Sequence, residues 1–226
     1  MTQDLTVFLQ QVPLFMGIGA ASLRRMAQAS RVLRLTKGKL LFQQGDAAEA
    51  VFVVLSGGIS LVLSQPDGRE LVINEMQPSD CFGEMAVITD QARSTGAVAR
   101  EATEVVVIPR SEFLAVLDAE PKLMRRVIDL LAQRLRASSE RESALAFLTA
   151  PARLARLLLQ MDKRASKDGY ISGGQEELSQ HLGLTRQTVA KILGQWRRAG
   201  LLLTGRGKIV LLDKVALRRI ADEAAR

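Results

Sequence analysis

Apolar residues near the start of the chain recur at helical intervals: Phe8, Val12 and Phe15, then Leu23 and Met26. Pro13, Gly17 and Gly19 interrupt the series, so residues 5–30 predict short helices rather than one long one. From residue 32 to 108 the pattern changes. Short apolar or alternating runs at 40–42, 51–55, 59–63, 71–73 and 105–108 are separated by turn chemistry. The separators are Gly45-Asp46, Gly57-Gly58, Pro66-Asp67-Gly68 and Pro78-Ser79-Asp80. Asp-Gly and Gly-Gly between β-rich runs read as hairpins. The segment therefore predicts an all-β unit of about eight short strands, a barrel or roll.

Residues 111–147 carry one helical pattern, with Met124, Val127, Ile128, Leu131 and Leu135 on a single stripe. A helix of roughly 35 residues would be about 50 Å long and would overhang a small β-domain. Part of its stripe is expected on the β-roll. The rest is expected to meet a partner helix, most simply the same helix of a second copy. Pro151 opens a further helix whose Leu154, Leu157, Leu158 and Met161 face one way, and the Gly-rich stretch 169–174 ends it.

The most specific pattern follows, at 175–196. A first helix holds Glu176, Glu177, Leu178, His181 and Leu182. Gly183 supplies a turn, and Thr185 is a ready N-cap for a second helix starting at Arg186. With Arg186 at 0° and about 100° per residue, Val189, Leu193, Trp196 and Ile192 share one apolar face. Arg186, Gln187 and Lys191 share a separate polar one. A small turn, a buried back and long hydrogen-bonding side chains at the start of the second helix describe a helix-turn-helix. Arg can bridge a guanine edge, Gln can pair with adenine, and Lys can take guanine or phosphate, whereas Arg197 and Arg198 suit backbone or solvent. Apolar runs at 201–203 and 209–212 flank Thr204-Gly205-Arg206-Gly207-Lys208, the β-hairpin wing of a winged helix. Thr185, Arg186, Gln187, Lys191, Arg206 and Lys208 are thus the candidate DNA contacts, the last two to phosphates.

Charge strengthens that picture. The chain has 226 residues and a formal net charge of +7. Residues 151–226 hold 15 Lys/Arg against 7 Asp/Glu, leaving 16 against 17 in the rest. The excess sits where a polyanion would be read; a basic solvated surface is the alternative. Hydrophobic residues make up 47% and charged residues 24%, as in packed globular proteins. No apolar run approaches a membrane span, and Asp4, Gln10 and Gln11 interrupt the first apolar stretch, so neither membrane attachment nor a leader is expected and the location expected is cytoplasmic. A single cysteine, Cys81, and a single histidine, His181, provide no internal disulfide, four-cysteine cluster or multi-histidine metal centre. No metal is expected. No nucleophile-base constellation or phosphate-gripping Gly-Lys-Ser/Thr loop is visible, so an enzyme is not expected.

A second cluster lies in the β-segment, at Cys81-Phe82-Gly83-Glu84-Met85-Ala86 and Gln91-Ala92-Arg93-Ser94-Thr95. Gly83 allows close backbone approach at the mouth of a short helix whose free amides attract an anion. Arg93 suits forked bonding to phosphate, Ser94 adds a hydroxyl, and Glu84 can accept from ribose hydroxyls. The alternative is an ordinary Glu84–Arg93 ion pair closing a turn.

The chain resembles the CRP/FNR family of bacterial transcription regulators over almost its whole length. The resemblance rests on Phe82-Gly83-Glu84-Met85-Ala86 through Arg93-Ser94, on the long helix with Ser138-Ser139-Glu140-Arg141 and Leu145-Ala146-Phe147-Leu148, and on Leu184 through Leu193. It implies an α+β fold: a jelly-roll-like cyclic-nucleotide-binding β-roll with N-terminal helices (1–110), a dimerisation helix (111–149) and a C-terminal winged helix-turn-helix (150–226). It implies cyclic AMP or cyclic GMP as effector, held by Gly83, Glu84, Met85, Ala86, Arg93 and Ser94. Glu84 would take the ribose, Arg93 and Ser94 the cyclic phosphate, and Ser138 and Ser139 the base. It also implies a homodimer through 111–147 on palindromic promoter DNA, with RNA polymerase as a further partner.

Departures from the family's best-known cyclic AMP receptor bear on specificity. The Glu84-to-Arg93 gap is one residue shorter, and Ser138 stands for Thr. Gln187 stands where many members have Glu, which points to a shifted half-site, and Lys191 stands where Arg is usual and cannot make the same fork to guanine. Thr95 leaves cyclic GMP open. The oxygen-sensing branch needs a cysteine cluster absent here, and a buried structural thiol fits Cys81 better than a haem ligand. Two other functions stay open: a regulator of this family that needs no cyclic nucleotide or takes another effector, and a regulatory module of an enzyme.

Overall fold

The computed structural model describes residues 2–65, 70–164 and 169–223. It divides into two compact units, 1–134 and 135–226. No helix among the described residues is long and apolar enough to cross a membrane.

The first unit begins with α1 (Thr2–Gln11), a 3-10 turn at Pro13–Phe15 and α2 (Ala20–Ala29), as the broken periodicity predicts. Eight strands follow: β1 (Arg31–Leu35), β2 (Leu40–Phe42), β3 (Ala50–Ser56), β4 (Ile59–Ser64), β5 (Glu70–Met76), β6 (Cys81–Phe82), β7 (Gly96–Ala99) and β8 (Thr103–Pro109). A short helix, α3 (Glu84–Thr89), interrupts them, and α4 (Arg110–Ala119) follows. The strands form two antiparallel four-stranded sheets, in the orders β1-β8-β3-β6 and β2-β7-β4-β5. The roll predicted from the turn-separated runs is this pair of sheets.

The turns do not all make hairpins. Gly45-Asp46, Gly57-Gly58 and Pro78-Ser79-Asp80 each carry the chain from one sheet to the other, because β2 and β3, β3 and β4, and β5 and β6 are not paired. Turn chemistry marks a reversal but not the strand that receives it. β4 and β5 do pair; their Pro66-Asp67-Gly68 turn lies outside the described residues.

Strand β3 shows why its apolar run is continuous rather than alternating. Val51 and Val53 join a core built with α1, α2, α4 and the start of the next long helix, while Phe52 and Val54 join the core between the sheets. Both faces of the strand are covered, so both sets of side chains must be apolar.

The expected single helix over 111–147 is two helices. α4 ends at Ala119, and α5 (Pro121–Phe147) starts after a break at Glu120, whose φ and ψ are −122° and 89°. Proline lacks the amide a continuing helix would use, and it disfavours helical geometry in the residue before it. Pro121 was the visible signal. At 27 residues, α5 is about 40 Å long rather than 50. Its stripe divides. Leu123 and Val127 are buried in the first core, whereas Met124, Ile128 and Leu135 are exposed.

In the second unit, α6 (Ala150–Arg164) starts beside Pro151, and Thr149 Oγ1 accepts from the Ala152 amide. Then come β9 (Ile171–Ser172), α7 (Gln175–Leu182), α8 (Arg186–Arg198), β10 (Leu202–Gly205), β11 (Lys208–Leu211) and α9 (Lys214–Ala221). The wing is a three-stranded sheet in the order β10-β11-β9, one strand more than the hairpin read from sequence. Helix α9 was not anticipated either; its signal was the Asp213 cap, which accepts from the Val215 and Ala216 amides, ahead of Leu217 and Ile220.

Candidate functional site

In the first unit the residues of the 81–95 cluster do come together. Strand β6 delivers the chain to Gly83, which caps α3 with a φ of 79° and no side-chain cap bond. A Cβ at Gly83 would meet Arg93 Nη1 at 2.6 Å and Phe52 at 3.3 Å, so glycine serves both the left-handed turn and the close packing. The start of α3 has no side-chain cap bond, and its first amides have no partner within the helix. Ala86 is buried, Met85 half exposed and Ser94 exposed.

Glu84 and Arg93 are the buried charges of the cluster, 0% and 4% exposed. They are not an ion pair with each other. Glu84 Oε1 accepts from Arg134 Nη1 at 2.5 Å, and Arg134 Nη2 also donates to the Cys81 carbonyl at 2.6 Å. The Glu84–Arg93 bridge of the alternative reading is thereby replaced by a bridge to α5. Spacing within the cluster could not reveal a partner 50 positions away, and Arg134 was missed. Glu84 Oε2 has no donor among the described residues. Arg93 donates from Nη1 to the Gly83 carbonyl at 2.7 Å and from Nη2 to the Ala50 carbonyl at 2.6 Å; its Nε is buried and has no acceptor among the described residues. Burial pushes the Arg93 pKa down, against the opposing pull of Asp46 and Glu84. Arg93 also lies over the Phe42 and Phe52 rings, which sequence reading did not single out.

Cys81 is a buried thiol, as expected. Burial above all, then the Glu84 charge, pushes its pKa well up; Arg134 opposes the rise.

In the second unit, Ser138 and Ser139 lie on the last turns of α5. Ser138 donates to Glu142 at 3.3 Å, and Ser139 lines a shallow hollow with Glu140, Ser143, Phe147 and Arg156. The helix pair α7–α8 matches its sequence reading closely. Gly183 ends α7 at a φ of 61°, and Thr185 caps α8 by accepting from the Thr188 amide at 3.2 Å. Val189, Ile192, Leu193 and Trp196 are buried in the second core; Arg186, Gln187 and Lys191 are exposed. Arg206 and Lys208 are exposed at the β10–β11 turn, with Lys208 Nζ 4.2 Å from the Tyr170 ring centre. Such a surface offers cations and forked donors on a rigid helix beside a basic loop.

Comparison with known proteins agrees with both halves. Residues 32–120 match the cyclic nucleotide-binding domain family and residues 152–220 the Crp-like helix-turn-helix domain family. The CRP-like cAMP-activated global transcriptional regulator of Mycobacterium tuberculosis is 26% identical, over 94% of this chain and 98% of its own. The cyclic AMP receptor protein of Thermus thermophilus is 29% identical, over 92% of this chain and 96% of its own. Among solved structures, the c-di-GMP-responsive global regulator CLP of Xanthomonas campestris superposes with a TM-score of 0.78 at 25% identity, over 86% of this chain and all of that one.

Proposed function

Since the chain belongs to the CRP/FNR family of transcription regulators, we propose that its effector is cyclic AMP or cyclic GMP and that it acts as a homodimer on palindromic promoter DNA. The chain is a cyclic-nucleotide-binding, DNA-binding transcription regulator, and its relatives are regulators rather than enzymes.

The observation that carries the effector reading is the corner at Glu84. A fully buried carboxylate keeps one oxygen without a donor among the described residues, beside uncapped helix amides and a buried guanidinium. A ribose hydroxyl supplies the missing donor, and a cyclic phosphate suits the amides of Gly83–Ala86 with Arg93 and Ser94. Base contacts fall to Ser138 and Ser139. The names of the Mycobacterium and Thermus relatives point to cyclic AMP, and that of the Xanthomonas protein keeps a cyclic dinucleotide as the second reading.

Coupling follows from Arg134. It ties Glu84 to α5, so whatever engages Glu84 changes the hold on the helix that precedes the DNA-reading segment in the chain. Arg186, Gln187 and Lys191 then read base edges, while Arg206 and Lys208 hold phosphates. In this reading the chain divides into a β-roll with N-terminal helices (1–110), a dimerisation segment (111–149) and a winged helix-turn-helix (150–226). The protein works in the cytoplasm, with RNA polymerase as a further partner.

The test is to titrate purified protein with cyclic AMP, cyclic GMP and cyclic di-GMP, then measure DNA affinity with each. A cyclic mononucleotide is expected to bind and to change DNA affinity about 5- to 150-fold. Uptake of cyclic di-GMP alone would establish the second reading. DNA binding indifferent to all three, with no uptake, would end the effector reading.

A further inference from the structure

Three phenylalanines from three strands meet beneath Arg93. Phe42 and Phe52 stack at 5.4 Å, Phe52 and Phe82 at 5.4 Å, and Phe42 and Phe82 stand 6.3 Å apart. The guanidinium carbon lies 4.5 Å from the Phe42 ring centre and 5.3 Å from that of Phe52. Two backbone carbonyls tether its edges; the buried carboxylate of Glu84 is already bonded to Arg134, and the exposed Asp46, which acts on Arg93 through its charge, has its carboxylate bonded to the Gln43 amide.

A buried cation needs compensation, and the kind of compensation matters here. A carboxylate would cancel the charge and repel an incoming phosphate. Ring faces and carbonyl dipoles stabilise the cation while leaving its net charge in place. They also fix the guanidinium plane, since an aromatic face accepts a flat cation over it. We infer that Phe42, with Phe52 behind it, is a positioning residue for the effector: this aromatic shelf holds the Arg93 guanidinium flat and charged for the effector's phosphate, so the pocket needs an aromatic residue at 42 as well as an arginine at 93. The inference rests on the effector reading above and adds a specificity requirement to it.

Phe42 is only half buried, so substitution there is tolerable for folding. Calorimetry with cyclic AMP and cyclic GMP is run on the parent, Phe42→Leu, Phe42→Tyr, Arg93→Met and the Phe42→Leu/Arg93→Met double variant, each checked by thermal unfolding. Phe42→Leu is expected to weaken binding about 5- to 30-fold, the range of a partly desolvated cation–ring contact. Phe42→Tyr keeps the ring and is expected to stay within about twofold of the parent. In the Arg93→Met background, Phe42→Leu is expected to change affinity by less than about twofold, because the cation it acts through is gone. If Phe42→Leu fails to fold, Phe42→Met keeps more of the volume and replaces it. Parent-like binding by the leucine variant, a tyrosine variant as weak as leucine, or an equal loss in both backgrounds would each overturn the inference while leaving the effector reading intact. A parent that takes up neither nucleotide would overturn both.

Discussion

Glu84 concentrates the energetics of the pocket in one side chain. Its carboxylate is wholly buried, one oxygen is bonded to Arg134, and the other has no donor among the described residues. An unsatisfied buried polar group costs about 1–3 kcal/mol, and more when charged, so a ligand that donates there recovers a cost the fold already bears. Its neighbour Cys81 illustrates the opposite use of burial. The thiol is driven toward its neutral form by desolvation and by the Glu84 charge. In the folded protein Cys81 is therefore expected to resist alkylation by iodoacetamide at pH 8 and to react once denatured; rapid labelling of the native protein would contradict this. The sign of the pH effect follows. The folded thiol holds its proton more tightly than the unfolded one, so this contribution to stability is full below the ordinary thiol range and is lost as pH rises above it.

At the scale of elements, the recognition helix was readable because local rules settle it. The Thr185 cap, the left-handed Gly183 and the spacing of Val189, Ile192, Leu193 and Trp196 all act within one or two turns. Thr185→Ala is expected to lower the stability of the DNA-reading unit by about 1 kcal/mol, with Thr185→Ser near neutral, measured by thermal unfolding. Equal melting of the alanine variant and the parent would show that the cap bond contributes nothing. The 111–147 stretch shows the limit of periodicity. The apolar stripe continues across Glu120-Pro121, but the backbone cannot, since a proline ring and a missing amide outweigh a favourable side-chain pattern. Likewise, Gly57-Gly58 signals a turn, yet β3 pairs with β8 and β6 instead of β4.

At the scale of the whole molecule, the exposed side of α5 is the feature that a single chain does not explain. Met124, Ile128 and Leu135 are 43%, 58% and 69% exposed on a helix whose buried residues are Leu123 and Val127. Large apolar side chains left in water along one helix face suit a second copy of that helix. With the proposed homodimer formed through this face, Ile128→Glu is expected to sediment as a monomer where the parent sediments as a dimer, and to weaken binding to a palindromic site. A variant that stays dimeric would move the interface off this face.

The sequence by itself determined the things that depend on neighbours along the chain: the β-rich character of 32–108, the helix-turn-helix with its buried and exposed faces, and which residues cluster at 81–95. Only the tertiary structure decided which distant groups meet them. It paired Glu84 with Arg134 instead of Arg93, set Arg93 on rings from β2 and β3, and sent the glycine turns between sheets. The physical reason is that caps, turns and periodicity are fixed by contacts a few residues apart. The partner of a buried charge is chosen by whichever group the packed core brings within hydrogen-bond reach.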